Sequence, residues 1–428
     1  MGCLASTTRD AGGNGRRPGT VVEVAVFVPG LRIPKGVDLS QPLHNSLSRN
    51  LVERLSALRI RIVVMAAQEA PTVTKPSRKT ATQHGGSSLA DLLQALEDYL
   101  PVLLGLVKNG SQSKDKVQFV WVNQEDVAEE TGMTNAWYEV LSVLHLMAML
   151  CLSEANSLLL PKMSNDGHQL KASEEDKQTT IDIFLKAAGY LDCAIQHVLP
   201  QIPPETRKDL PLDLAEGVLR AFCMQALGQS VDIQLGIAID SSKATLAVKR
   251  RLACEMVKCW HQVAFGALSD SGNPDYQIFL SELKIFKNLS PHHQAAAYYY
   301  HGLILDEGNT EESHGMAIAA LQAAEEFLKE SKRACEVFNA MPPTSRNPPL
   351  WGSARYHSEK IPKDASSKAR INQDLYSNER LLKPSHLGGI CRVLEPAPAL
   401  PDFAVALKPD DYQLPPVDAS WNEQNDHQ

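Results

Sequence analysis

The stretch from Asn135 to Leu160 constrains this chain more than any other. Trp137, Val140, Leu141, Leu144, Leu146, Met147 and Leu150 put an apolar side chain on nearly every turn. A helix that is apolar around most of its circumference has to be covered from several sides. The fold must therefore supply other helices around it. His145 lies within the run with no second histidine at i+4, so it reads as a satisfied core residue and not as half of a metal pair. The sequence holds no uninterrupted run of about 18 apolar residues, and no membrane span is expected.

The covering elements are legible in the hydrophobic period. Leu214, Val218, Leu219, Phe222, Leu227, Val231 and Leu235 recur at three- and four-residue steps, the mark of a one-sided helical stripe. Asp240-Ser241-Ser242 then supplies a polar turn, and Lys243 onward starts a second stripe through Val248, Leu252, Cys259 and Val263. So short a turn forces the two helices antiparallel. Further helices are expected over Leu47–Ala67, Leu89–Val107 (with a kink or boundary at Pro101), Glu174–Leu199, Gln277–Leu289, Gln294–Leu305, His314–Phe338 and Ser353–Leu375. Small residues at Ala295–Ala297 and Gly302, facing Leu321, Ala324 and Phe327 on the next helix, read as a tetratricopeptide-like hairpin.

One recognisable hairpin with looser cousins predicts an irregular helical solenoid. Val21–Val28, Leu31–Leu43 and Val117–Trp121 read as extended, Pro71–Ser88 and Lys162–Ala172 as loops, and Ala397–Pro416 as an extended arm laid across the helices. The expected fold is mainly α and elongated, with a short N-terminal β segment. Residues 1–20 form a flexible tail, 21–416 one helical domain and 417–428 a disordered tail.

Several function classes are disfavoured. The formal net charge of -8 argues against a surface that tracks nucleic-acid phosphates. The eight cysteines contain no CxxC pair, so neither a zinc site nor a disulfide framework is expected. No P-loop, dinucleotide fingerprint, HExxH or nucleophile elbow occurs. The chain reads as a non-enzyme without metal or cofactor.

The first residues, Met1-Gly2-Cys3-Leu4-Ala5-Ser6, fit the N-myristoylation pattern with Gly2 as acceptor, and Cys3 beside it is placed for palmitate. A single myristoyl chain binds membrane only marginally, so Cys3 would supply the second signal. The competing reading is a disordered tail that starts with glycine by chance.

The landmarks, taken in order, resemble the Bro-one domain family, the endosomal-sorting scaffolds that include ALIX and BROX. Val24–Leu31 with Pro34-Lys35 is similar to the family's opening strand. Phe119-Val120-Trp121, Tyr138-Glu139-Val140-Leu141 and His145-Leu146-Met147 resemble its central signature, with His145 where the family has Asn. Leu227-Gly228-Gln229 through Lys243-Ala244 and Leu252-Ala253-Cys254 resemble its helix pair, and Tyr300–Leu303 with Leu321–Ala324 its tetratricopeptide-like hairpin. The stand-alone architecture is most similar to the BROX-type branch and its plant form. That branch ends in a prenyl box, which this sequence lacks.

The resemblance implies a banana-shaped helical domain and an adaptor, cytoplasmic and peripheral on endosomal or plasma membrane. Its concave hydrophobic patch would take the C-terminal amphipathic helix of an ESCRT-III subunit of the Snf-seven type. By motif alignment Leu252 matches the patch leucine and Val248 its partner one turn earlier. The patch position on the preceding helix falls on Ile233, Gln234 or Leu235. Lys249, Arg250 and Arg251 would pair with acids on the partner. Without the resemblance, Val248 and Leu252 read as ordinary core and the three basic residues as a solvated face. The rival reading is a tetratricopeptide-like peptide binder unrelated to endosomal sorting.

Overall fold

Glu139 shows how the body is tied together, and it does so from the middle of the most apolar helix. The computed structural model describes residues 22–23, 28, 31–69, 88–109, 115–123, 130–159, 162–163, 169–170, 172–266, 291–308, 310–340, 346–347, 353–376 and 397–422. Gly2 and Cys3, the opening strand at 24–27, the loop over 71–87 and the expected helix Gln277–Leu289 lie outside the described residues.

The first half runs β1 (Val22–Glu23), β2 (Arg32–Pro34), α1 (Ser40–Leu43), α2 (Arg49–Glu69), α3 (Ser88–Asn109), β3 (Phe119–Asn123), β4 (Glu130–Met133) and α4 (Ala136–Leu159). The second half runs β5 (Lys162–Met163), β6 (Gln169–Leu170), α5 (Glu174–Cys193), α6 (Pro204–Arg207), α7 (Glu216–Asp240) and α8 (Leu246–Gly266). It continues with α9 over 291–306, α10 (Glu311–Ala340), β7 (Arg346–Asn347) and α11 (Ser353–Tyr376). The architecture is mainly α, with one three-stranded antiparallel sheet in the order β2-β3-β4.

α4 is the central helix, as its composition demands. It is long and apolar enough to cross a membrane, yet 89% of its apolar window is buried inside the protein. Within it the Glu139 carboxylate accepts from the Trp121 indole N–H of β3 at 2.6 Å, from the Arg59 Nε of α2 at 2.9 Å and from the Tyr99 hydroxyl of α3 at 3.2 Å. A buried carboxylate is tolerable only when its lone pairs are filled in this way. Burial and the Glu139 charge together hold the Tyr99 hydroxyl well above its usual pKa. A second buried pair, Arg32 Nη1 to Asp213 at 3.1 Å, ties β2 to the turn before α7.

α5 begins with a capping box: Ser173 Oγ accepts from the Asp176 N–H at 2.9 Å while Asp176 accepts from the Ser173 N–H at 3.2 Å. α7 and α8 form the expected hairpin. A Cβ on Gly228 would fall 2.9 Å from the Trp260 Nε1, so the glycine permits the close approach of the two helices. α9 and α10 form the second hairpin, in which Gly302 sits against Leu321 and Tyr298 stacks on Phe327 at 5.5 Å between centroids.

Residues 397–418 carry no regular secondary structure and lie on the helices as an arm. Its Asp410 N–H donates to the Leu185 carbonyl of α5 at 3.1 Å, and Tyr412 meets Tyr190 edge to face at 4.6 Å.

The structure corrects several expectations. Ser40–Leu43 is a helical turn and not extended, with Asp38 Oδ1 accepting from the Ser40 N–H at 2.8 Å. Lys162–Ala172 contains the small β5–β6 pair and is not all loop. α3 runs through Pro101 without ending there. α8 starts at Leu246 and not at Lys243; Thr245 Oγ1 accepts from the Val248 N–H at 3.4 Å and serves as its cap. α7 is buried on nearly all sides and carries no one-sided stripe.

His145 is buried, but among the described residues neither ring nitrogen has a hydrogen-bond partner, so it is not the satisfied residue expected. Burial lowers its pKa to about 4, which keeps it neutral. The last correction concerns the tail. Trp421 is 2% exposed and donates its indole N–H to the Val102 carbonyl at 3.0 Å. A Cβ on Gly105 would lie 2.0 Å from that ring, so Gly105 makes its slot in α3. Residues 417–422 therefore belong to the body.

Candidate partner-binding face

The α7–α8 hairpin carries the candidate site, and its register follows from Gly228. That glycine meets Cys259 and Trp260. The same antiparallel register carries Gln234 to the level of Ala253–Cys254 and Ile237 to that of Arg250–Arg251, within a turn of Leu252 and Val248. Val248 is 47% exposed, one of the few large apolar side chains left open to solvent, and Leu252 one turn on is half-buried. The pair is therefore not sealed core, which is the outcome a purely periodic reading favoured. Exposed apolar residues at i and i+4 form a short ridge that suits another apolar face.

The first helix contributes differently from the expectation. Leu235 is 0% exposed and Ile233 8% exposed, because α7 is enclosed by α5 on one side and α8 on the other. Neither offers surface to a partner. Gln234 between them is half-buried, as is Ile237 one turn on. Gln234 and Ile237 are thus what α7 leaves half-open near this level, and Gln234 is more polar than an aromatic would be. Ile237 went unnoticed in the sequence; its i+3 spacing from Gln234 is the signal that could have found it.

The three basic residues separate on the helix. Arg251 is exposed and Lys249 half-buried, and neither makes an ion pair among the described residues. Arg250 is engaged within the protein: its Nη1 lies 3.4 Å from His301 Nδ1 of α9, and its guanidinium sits 5.8 Å from the Phe403 ring centroid of the arm. Burial of the ring, and after it the nearby Arg250 charge, depress the His301 pKa. Arg250 is therefore a structural residue, whereas Lys249 and Arg251 remain open to a partner's acids.

No group of three or more metal-ligating side chains occurs among the described residues. The buried thiols of Cys151, Cys223 and Cys259 are pushed up to about 12 by burial, which makes them inert as nucleophiles near neutral pH.

A family model, that of the BRO1-like domain, matches residues 28–378. The chain belongs to the BRO1-like domain family. As a BRO1-like protein it matches solved structures at the level of the fold. One, described as "ALIX BRO1 CHMP4C complex", is 14% identical with a TM-score of 0.57, covering 92% of this chain and 99% of that one. Another, described as "Structure basis for endosomal targeting by the Bro1 domain", is 13% identical with a TM-score of 0.55, covering 88% and 94%. Among curated proteins none matches this BRO1-like chain.

Proposed function

We propose that this protein is a non-catalytic adaptor of endosomal sorting that receives the amphipathic C-terminal helix of an ESCRT-III subunit on the α7–α8 face. The single observation that carries the reading is Val248, 47% exposed beside half-buried Leu252 at the position where the family's patch is expected. The partner's apolar stripe would lie over Val248, Leu252 and Ile237, a helix-in-groove mode. Gln234 would bond to a polar group on that stripe, and Lys249 and Arg251 would steer acids at its rim. The relative described as a complex of ALIX BRO1 with CHMP4C supports this class of partner.

Tethering through Gly2 and Cys3 is the second half of the proposal, since the sequence pattern at Met1–Ser6 suits dual acylation. Membrane fractionation tests it: Gly2→Ala should move the protein to the soluble fraction, and an unchanged distribution would remove the anchor.

The face is tested by titrating the purified protein with the C-terminal helix of an ESCRT-III subunit. Leu252→Asp and Val248→Asp should each weaken binding by at least tenfold, about 1.4 kcal/mol or more, with the circular dichroism unchanged. Full-strength binding by both variants would refute the face.

A further inference from the structure

Glu255 lies in the middle of α8 and is 1% exposed, yet no cation pairs with it among the described residues. Its Oε1 instead accepts from the backbone N–H groups of Ala406 and Leu407 in the C-terminal arm, the latter at 3.1 Å. Two further contacts fasten the same stretch. Lys258 pairs with Asp402, and Arg250 faces the Phe403 ring. Phe403, Val405 and Leu407 are half-buried while Asp402, Ala404 and Ala406 are exposed, the alternation of an extended segment lying flat on a helix. Beyond it the arm is pinned independently, by the Asp410 N–H on the Leu185 carbonyl.

Val248, Leu252 and Glu255 fall at i, i+4 and i+7, which is one face of α8. The arm thus comes along the flank of α8 that holds Arg250 and Lys258 and reaches the face of the candidate ridge at Glu255, about one turn past Leu252. We propose that Asp402–Leu407 is an end stop of the binding face, fastened by Glu255, and that it sets how long a helix can lie along α8. This inference rests on the reading of that face given above. A helix seated over Val248 and Leu252 and running toward Gly266 meets the strap after about one turn. Any longer contact requires Glu255 to give up its two amide donors, and hydrogen bonds to a carboxylate are the stronger kind.

The test uses the full chain and two synthetic helical peptides with the same Leu- and Met-rich face and acidic flanks, one about three turns long and one about six. The wild type should bind both equally in calorimetric titration, because the added turns find no seat. Glu255→Ala should favour the long peptide by roughly tenfold over the short one. In the same variant the Ala406 and Leu407 amides should exchange faster with deuterium, while the Asp410 amide keeps its protection. Glu255→Gln retains an acceptor oxygen and should give a smaller gain, which guards against misfolding of the alanine variant.

A long-to-short ratio of one in Glu255→Ala, or unchanged exchange at both amides, would overturn the strap. If Val248→Asp abolishes binding of both peptides while that ratio stays at one, the strap alone is wrong. If Val248→Asp binds both at full strength, the face is wrong and the strap falls with it.

Discussion

Glu139 and Arg59 form an ion pair at 2.9 Å that is buried on both sides. The same carboxylate holds Trp121 and Tyr99, so one acidic side chain joins α2, α3, β3 and α4. Removing one partner leaves the other charged and without water.

Glu139→Ala should therefore cost about 3–5 kcal/mol of folding stability, read from urea denaturation. The double variant Arg59→Met with Glu139→Leu should recover part of that loss, because it removes both charges together. Recovery stays incomplete, since the Trp121 and Tyr99 donors lose their acceptor.

Acid should weaken the protein through a second cluster. His292, His293 and His357 are buried together, with His293 stacked on Trp260 at 5.1 Å and His357 Nε2 3.0 Å from the Tyr300 hydroxyl. Burial lowers the His292 pKa to about 4 and holds His293 and His357 well below the ordinary 6.5. The folded state keeps these rings neutral while the unfolded chain protonates near pH 6.5, so the unfolded state binds more protons. Stability is level above about pH 6.5 and falls as pH drops from there towards 4. Unfolding free energies from urea titrations at pH 7.5 and 5.0 should differ by up to about 2 kcal/mol per histidine, and His357→Phe should flatten the dependence.

The arm has a tight crossing at Gly189. A Cβ there would fall 2.7 Å from the Asp410 carbonyl oxygen, a backbone atom that cannot swing aside. Gly189→Ala should cost about 1–3 kcal/mol and should raise deuterium exchange at the Asp410 amide.

At the far end of the arm, Trp421→Ala empties the slot beside Gly105 and removes the indole donor from the Val102 carbonyl. A loss of about 3–5 kcal/mol in thermal or urea melts is expected. A loss within experimental error would show that the indole is dispensable.

Much of the body was legible from residue pattern alone. α4 announced itself because its apolar residues occupy every side, and the α7–α8 hairpin because two apolar runs flank a short polar turn. What failed has physical causes. Ser241, Ser242 and Thr245 are all competent caps, so pattern could not decide that α8 begins only after Thr245. Periodicity puts Leu235 on the covered stripe of α7; it and Ile233 entered the patch only through the family resemblance, and both are buried. Lys249, Arg250 and Arg251 look like one basic patch in sequence, yet each step turns the helix by about 100°. Arg250 is carried round to His301 and the arm. Trp421 was hidden by the polar residues after it, although a lone indole following an alternating arm is the kind of residue that anchors one.

The slot in α3 has a consequence for synthesis. The donor that fills it arrives 319 residues after Val102. At roughly 5–20 residues per second, a ribosome leaves that notch empty for about 15–60 seconds. Throughout that interval the nascent chain displays an unfilled notch beside Gly105. Closure waits on residue 421, so this part of the body stays unfinished until that residue has been made.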